Sequence, residues 1–239
     1  MPLFDRIKTT PDIPPEVIDG ANAIVERLQR RKVTEIILPE PSTGLRVPNR
    51  VRCYPQAHIR RCLTFIEAGA AELDANRPLA AELCTRAIYE NAATICDFTD
   101  KLKPLCEAVD YAGVEALVTK AAFTTRIPAF IEEYGEEVKA PQILNQIDKM
   151  NRRYPDYRTA YDHLSDIVHP NGLGAVVYFG TFSENGVMRF DDAGVSKSQE
   201  RARSSLILAV LMLLHVELAL IQTEERLKKL SADMTAKGG

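Results

Sequence analysis

The sequence predicts a mainly all-α fold: a helical bundle with one inserted β-hairpin and an irregular N-terminal extension. Three observations predict it. Apolar residues recur at three-to-four spacing over most of the 239 residues, the period of a helix with one buried face. The most apolar stretch, Leu206 to Ile221, is 16 residues long, the length of a buried helix. Only one segment, near 175–190, carries two β-rich runs around an Asn-Gly turn signal. Hydrophobic residues make up 46% and charged residues 26%, a globular balance that can fill a sizeable core.

The elements follow in order. Residues 1–15 are proline-rich and read as irregular. Val17 to Lys32 reads as an amphipathic helix with Val17, Ala21, Ile24 and Leu28 on one side. Val33 to Leu38 is β-branched and reads as an edge strand or an extended arm. Pro39 to Pro55, with four prolines and Gly44, reads as a connecting segment. The organisation expected is thus an extension over 1–55 and the bundle over 56–239. In the bundle, helices are expected over Gln56–Asn76 and Leu79–Leu102, each ending before a proline. Shorter helical pieces follow at Leu105–Asp110 and Val114–Ala122, and Ile127–Gly135 is ambiguous. Helices Gln142–Arg153 and Asp156–Val168 come next, the second bracketed by Pro155 and Pro170. Ala175–Phe182 and Val187–Phe190 form the hairpin, and a final helix runs from about Ser196 to Ser231.

Charge and cysteine content exclude some classes. The net charge is −3, so nucleic-acid binding would have to rest on a local basic patch. The five cysteines, Cys53, Cys62, Cys84, Cys96 and Cys106, show no C-x-x-C spacing. The start MPLFDRIKTTPDIPP lacks the basic-then-apolar pattern of a leader, and a reduced, cytoplasmic setting is expected. The run Leu206–Ile221 is 16 residues long and contains His215 and Glu217. A membrane span takes about 20 apolar residues, so a core helix and no membrane partner are expected. Walker A, G-x-G-x-x-G, H-E-x-x-H and G-x-S-x-G signatures are missing. His58, His163, His169 and His215 lack metal-ligand spacing, and no metal or cofactor is expected.

Three segments could carry chemistry. In YRTAYDHLSDIVHPN, Tyr157, Tyr161, Leu164 and Val168 form an apolar helical stripe. Beside it Arg158, Asp162, Ser165 and His169 share a second stripe, spaced four, three and four. His169 stands at the helix end, where the dipole favours imidazolium and an acid or base could act. The alternative is an ordinary Arg158–Asp162 pair with His169 as a cap. In the second segment, Leu79–Leu102, Arg86 and Glu90 sit one turn apart in a nearly all-apolar helix. Buried charges need partners, so the two pair with each other or reach the polar stripe. The third is a basic run, Arg46, Arg50, Arg52, His58, Arg60 and Arg61, with Tyr54 interleaved. It reads as a phosphate-binding patch, with Arg50, Arg52, Arg60 and Arg61 the candidate nucleic-acid contacts, or as a solvated linker face, or as a face docked on Glu132, Glu133, Glu136 and Glu137.

Arg86-x-x-x-Glu90 followed by Tyr161, Leu164, Ser165, His169 and Pro170 resembles bacterial families grouped with the HEPN-like (higher eukaryotes and prokaryotes nucleotide-binding) helical bundles. The resemblance covers roughly residues 56–232. It implies an RNA-directed protein, many such domains being metal-independent endoribonucleases of defence or toxin systems that act as homodimers. Their hallmark is Arg, four to six residues, then His. No Arg stands at that distance before His169; Arg158 stands so before His163, which points about 140° away on an ideal helix. Acid or base chemistry is then expected of His169, on the helical face it shares with Arg158 and Asp162, and not of His163. Arg158 or Arg86 would stabilise phosphate charge, with Asp162 and Glu90 orienting them. The alternative is a non-catalytic dimerising or partner-binding helical module.

Overall fold

The computed structural model describes residues 3–6, 13–40, 45–183, 185–190 and 192–237. Among these, eight α-helices make the bundle: α1 Pro15–Arg30, α2 Arg46–Asp74, α3 Pro78–Glu107, α4 Tyr111–Phe123, α5 Pro128–Tyr134, α6 Ile143–Arg153, α7 Tyr157–Val168 and α8 Asp192–Lys237. A two-stranded antiparallel hairpin joins β1 Thr181–Phe182 to β2 Met188–Arg189, pairing Thr181 with Arg189 and Phe182 with Met188. The protein is therefore a mainly-α bundle.

Helix α3 is the central element, and its apolar middle explains why. Ile88, Ala92, Ala93, Ile95 and Cys96 are all buried, so its middle offers apolar surface to several neighbours at once. Helices α2, α4, α6, α7 and α8 all pack on it. The larger apolar cluster gathers Leu28 of α1, Ile66 of α2, Ile147 of α6, Leu164 of α7 and Leu213 of α8 around it. A second cluster at the far end joins Val51, Phe98, Leu102, Val114, Val118 and Leu227. Burial of one such side chain contributes roughly 1.5–3 kcal/mol.

Several boundaries differ from the sequence reading. Residues 46–55 belong to α2, so the supposed linker is partly helix and the 55/56 boundary falls inside an element. Pro48 lies in the first turn, where backbone N–H groups have no helical acceptor anyway. Pro55 is a true interior proline. Its missing hydrogen bond is offset by burial of its ring, together with Pro48 and Val51. Pro104 is likewise absorbed, near the end of α3. Residues 33–38 take the arm alternative, pinned to α2 by side chains. Gln56 Oε1 accepts from Val33 N (3.0 Å), Arg60 donates to Val33 O (2.6 Å), and Asn49 donates to Ile37 O (2.8 Å).

The N-terminal reading changes too. Residues 3–6 form a short 3-10 turn, with Phe4 buried in the main cluster and its N–H bonded to Asn22 Oδ1 at 3.1 Å. Residues 1–2 and 7–12 of the proline-rich start lie outside the described residues. Helix α1 buries Ile18, Ala21, Ile24, Val25 and Leu28 in the main core, so it is part of the bundle's packing. The ambiguous 127–135 segment holds α5.

The first β-rich run is mostly not a strand. Residues Gly172–Val177 form a π-helical turn. Asn171 Oδ1 accepts from Gly174 N at 2.9 Å. A Cβ on Gly174 would lie 2.0 Å from His169 O and 2.3 Å from Ile167 O. Only glycine allows this close return of the chain over the end of α7.

Candidate functional site

Helix α7 places the polar residues named from the sequence, but not as one cluster. Its buried face is Tyr157, Tyr161, Leu164 and Ile167, with Val168 only partly covered. Arg158 is held outside by two carboxylates: Nε bonds Asp162 at 2.7 Å and Nη1 bonds Asp148 of α6 at 2.6 Å. These hydrogen bonds, Asp162 first, raise the Arg158 pKa. Ser165 Oγ is buried with no hydrogen-bond partner among the described residues. His169 is exposed and its backbone has left the helix, with φ −79° and ψ 143°. Its side chain has no bonding partner among the described residues. His163 is exposed as well.

Arg86 and Glu90 reach the apolar stripe of α7 instead of the polar one. Tyr161 OH accepts from Arg86 Nη2 at 3.2 Å and donates to Glu90 Oε1 at 2.9 Å. The Arg86–Glu90 ion pair is 3.3 Å long, and the guanidinium lies 5.4 Å from the Tyr161 ring centre. The side chains are 25% and 31% exposed, so this closed triad sits at the edge of the core. No hydrogen bond or ion pair joins it to Arg158, Asp162 or His169 among the described residues.

The basic run is also internally engaged. Arg50 bonds Glu115 and Thr119 of α4, at 2.5 and 2.8 Å. Arg52 pairs with Glu224 of α8 at 3.1 Å. Arg60 binds the arm, and Arg61 lies 4.8 Å over the Phe65 ring. The docking alternative thus holds in kind, but the acids are Glu115 and Glu224, not Glu132, Glu133, Glu136 and Glu137. Helix α2 continues back to Arg46, which aims these arginines around a helix instead of along a linker.

The structure brings together a different set between α2, α3, α4 and α6. A cavity of about 410 Å³ is lined by Tyr54, His58, Thr94, Asp97, Phe98, Lys101, Leu117, Lys120, Ala121, Thr124, Arg126, Ala140, Pro141, Ile143 and Gln146. Tyr54 stands between His58 (ring centres 4.4 Å apart) and Phe98 (4.5 Å). Burial and the nearby Asp97 push the Tyr54 phenol up to about 12. Burial pushes the Asp97 carboxyl up, but hydrogen bonds from Lys101 and Lys149 overcome it and leave it below its ordinary value. Burial lowers the His58 pKa. Asn91 Nδ2 donates to His58 O and Cys62 Sγ, so its Oδ1 faces His58 Nδ1. His58 is then the Nδ1–H tautomer, with Nε2 as acceptor. Only Tyr54 and His58 of this set stood out in the sequence. The others lie on separate helices, and Asp97 and Lys101 look like a surface pair.

A second buried polar group lies where α3 meets α8. Glu82 is fully buried. Its Oε1 is 3.5 Å from Arg201 Nε, and its Oε2 has no hydrogen-bond partner among the described residues. Burial pushes its carboxyl up to about 7, against the pull of Arg201.

Among the described residues no group of three or more His, Cys, Asp or Glu could hold a metal. No family model, curated protein or solved structure matches the chain.

Proposed function

We propose that the protein is a non-catalytic helical module that pairs with a second copy of itself through the outer face of α8. One observation carries this reading: the bundle leaves a long apolar stripe of α8 in solvent. Leu208 (55%), Leu214, Leu218 (48%) and Ile221 are exposed, and Leu211 is partly covered. Ser204, Leu208, Leu211, His215, Leu218, Gln222 and Glu225 follow the four-three alternation of a coiled-coil seam.

The seam is self-complementary when two copies run antiparallel about Leu213. Leu208 then faces Leu218 of the other copy, and Ser204 faces Gln222. Glu200 comes beside Lys228 on the flank. Like charges meet only in the outermost layer, Lys197 with Lys229. The same stretch, within Lys197–Ala232, is long and apolar enough to cross a membrane, and less than half of its most apolar window is buried. Its inner face carries Leu206, Val210, Leu213 and Leu220 of the core, and Glu217 bonds Arg27 at 2.8 Å. Removing α8 from the bundle would strip the core, which favours a protein occupant over lipid.

Sedimentation of the full chain tests this. The wild type should be a dimer at micromolar concentration, and Leu208→Glu with Leu218→Glu, two exposed positions, should be a folded monomer. A wild type that stays monomeric, or that floats with phosphatidylcholine vesicles, would refute self-pairing.

A second reading, an RNA-directed endoribonuclease, is supported by the exposure of His169 at the end of α7. Arg158 and Arg86 are already paired with carboxylates, which leaves this reading the weaker one. Its test is cleavage of single-stranded RNA in EDTA. His169→Ala should abolish cleavage and His163→Ala should spare it.

A further inference from the structure

We propose that the cavity between α2, α3, α4 and α6 binds a small planar aromatic anion, a carboxylate or a phosphate. Its volume, about 410 Å³, lies within the span of small-molecule sites, roughly 300–1,000 Å³. The walls divide by chemistry. Tyr54 and Phe98 supply ring surface, extended by Leu117 and Ile143. Flat apolar walls of this kind take a flat ring, because aromatic pairs pack at ring-centre distances of about 4.5–7 Å.

The charge at the mouth selects the sign. Asp97 is the one carboxylate in the lining, and it is neutralised by Lys101 and by Lys149, both at 2.5 Å. Lys120 and Arg126 have no carboxylate partner among the described residues. Arg126 donates only to Pro141 O, at 3.1 Å, and both side chains are exposed. Arg50, Arg52 and Arg158 are matched to acids; here two cations line an aromatic cavity with no acid partner of their own. An anionic head group would meet them while its ring lies against Tyr54 and Phe98. His58 lines the same cavity as a neutral imidazole with a free acceptor nitrogen, which fits a ligand carrying a hydroxyl or amino donor on its ring.

This site is distinct from the outer face of α8, so its test does not depend on pairing. Titration calorimetry on the full chain would use 2-naphthoate and adenosine 5′-monophosphate as probes, which separates a carboxylate source from a phosphate one. At least one should bind saturably, and 2-naphthylmethanol, which lacks the charge, should bind roughly tenfold more weakly. Lys120→Ala with Arg126→Ala changes only exposed side chains. It should weaken the anion by about tenfold or more while leaving the unfolding midpoint in place. Amide shifts on binding should centre on Tyr54, Phe98 and Ala121. No saturable binding of either probe, equal affinity in the double variant, or tighter binding of decanoate than of 2-naphthoate would overturn the proposal.

Discussion

Glu82→Gln should make the protein's stability less dependent on pH, because Glu82 is a carboxyl whose ionised form the fold disfavours. In the folded state its pKa is pushed up to about 7, from an ordinary 4.5. A raised folded pKa means that the favourable contribution is complete below the unfolded value and is lost as pH rises through the folded one. The window is therefore about pH 4.5 to 7. The gap corresponds to roughly 3 kcal/mol, at about 1.4 kcal/mol per tenfold. Glutamine fills the same volume without ionising. Its absolute effect also includes the altered contact with Arg201, 3.5 Å away, so the informative quantity is the difference between variant and wild type as a function of pH. That difference should shift by about 3 kcal/mol in favour of the variant between pH 4.5 and 8. His58 and His215 also titrate with lowered pKa values, but they are common to both proteins and cancel. Urea unfolding followed by circular dichroism at several pH values measures it. A difference that stays flat across this range would show that Glu82 ionises normally and that the reasoning from burial is wrong.

Other substitutions test other parts of the fold. Arg86→Leu should cost about 1–2 kcal/mol in urea unfolding, less than the roughly 3–5 of a fully buried pair, because Glu90 keeps Tyr161 and some solvent. A loss within that larger range would mean that Glu90 is far less solvated than its exposure indicates. Gly174→Ala should cost about 2 kcal/mol or more in thermal unfolding, since its Cβ would collide with two carbonyl oxygens; a neutral result would contradict the close approach at the end of α7. Val109 has φ 53° just past the end of α3, a left-handed conformation costing a β-branched residue about 1–2 kcal/mol. Val109→Gly should raise the unfolding midpoint, net of the partial packing that valine gives up; a lowered midpoint would show that packing outweighs strain there.

The helices were legible wherever period and punctuation agreed. Helices α1, α6 and α7 end within a few residues of their expected bounds, and the all-α class follows from them. The misreadings share one cause. A proline was taken as a stop at 48, 55 and 104, but tertiary packing overrode the local rule at Pro55, position in the first turn weakened it at Pro48, and at Pro104 the helix ran on only three residues further, to Glu107. The π-helical turn at 172–177 was hidden for the opposite reason. Its Val-Val run has strand composition, and only the contact between Gly174 and the carbonyls of α7 reveals the reversal. Sequence spacing located Arg158 and Asp162 as a pair on one face. It could not supply Asp148, which comes from α6. The aromatic cavity was illegible because its residues come from four helices and from the segments either side of α5, with no motif to connect them.

The central place of α3 has a consequence for how the molecule opens. Its two apolar clusters lie at opposite ends of the bundle, yet both are built on α2, α3 and α8. Loosening either end therefore strips contacts from helices that also hold the other. Backbone amides midway along α3, near Ala92 and Ala93, should exchange with solvent only through complete unfolding. Those of α5, which has no buried residue, should exchange through local fluctuation, leaving the rest of the bundle closed.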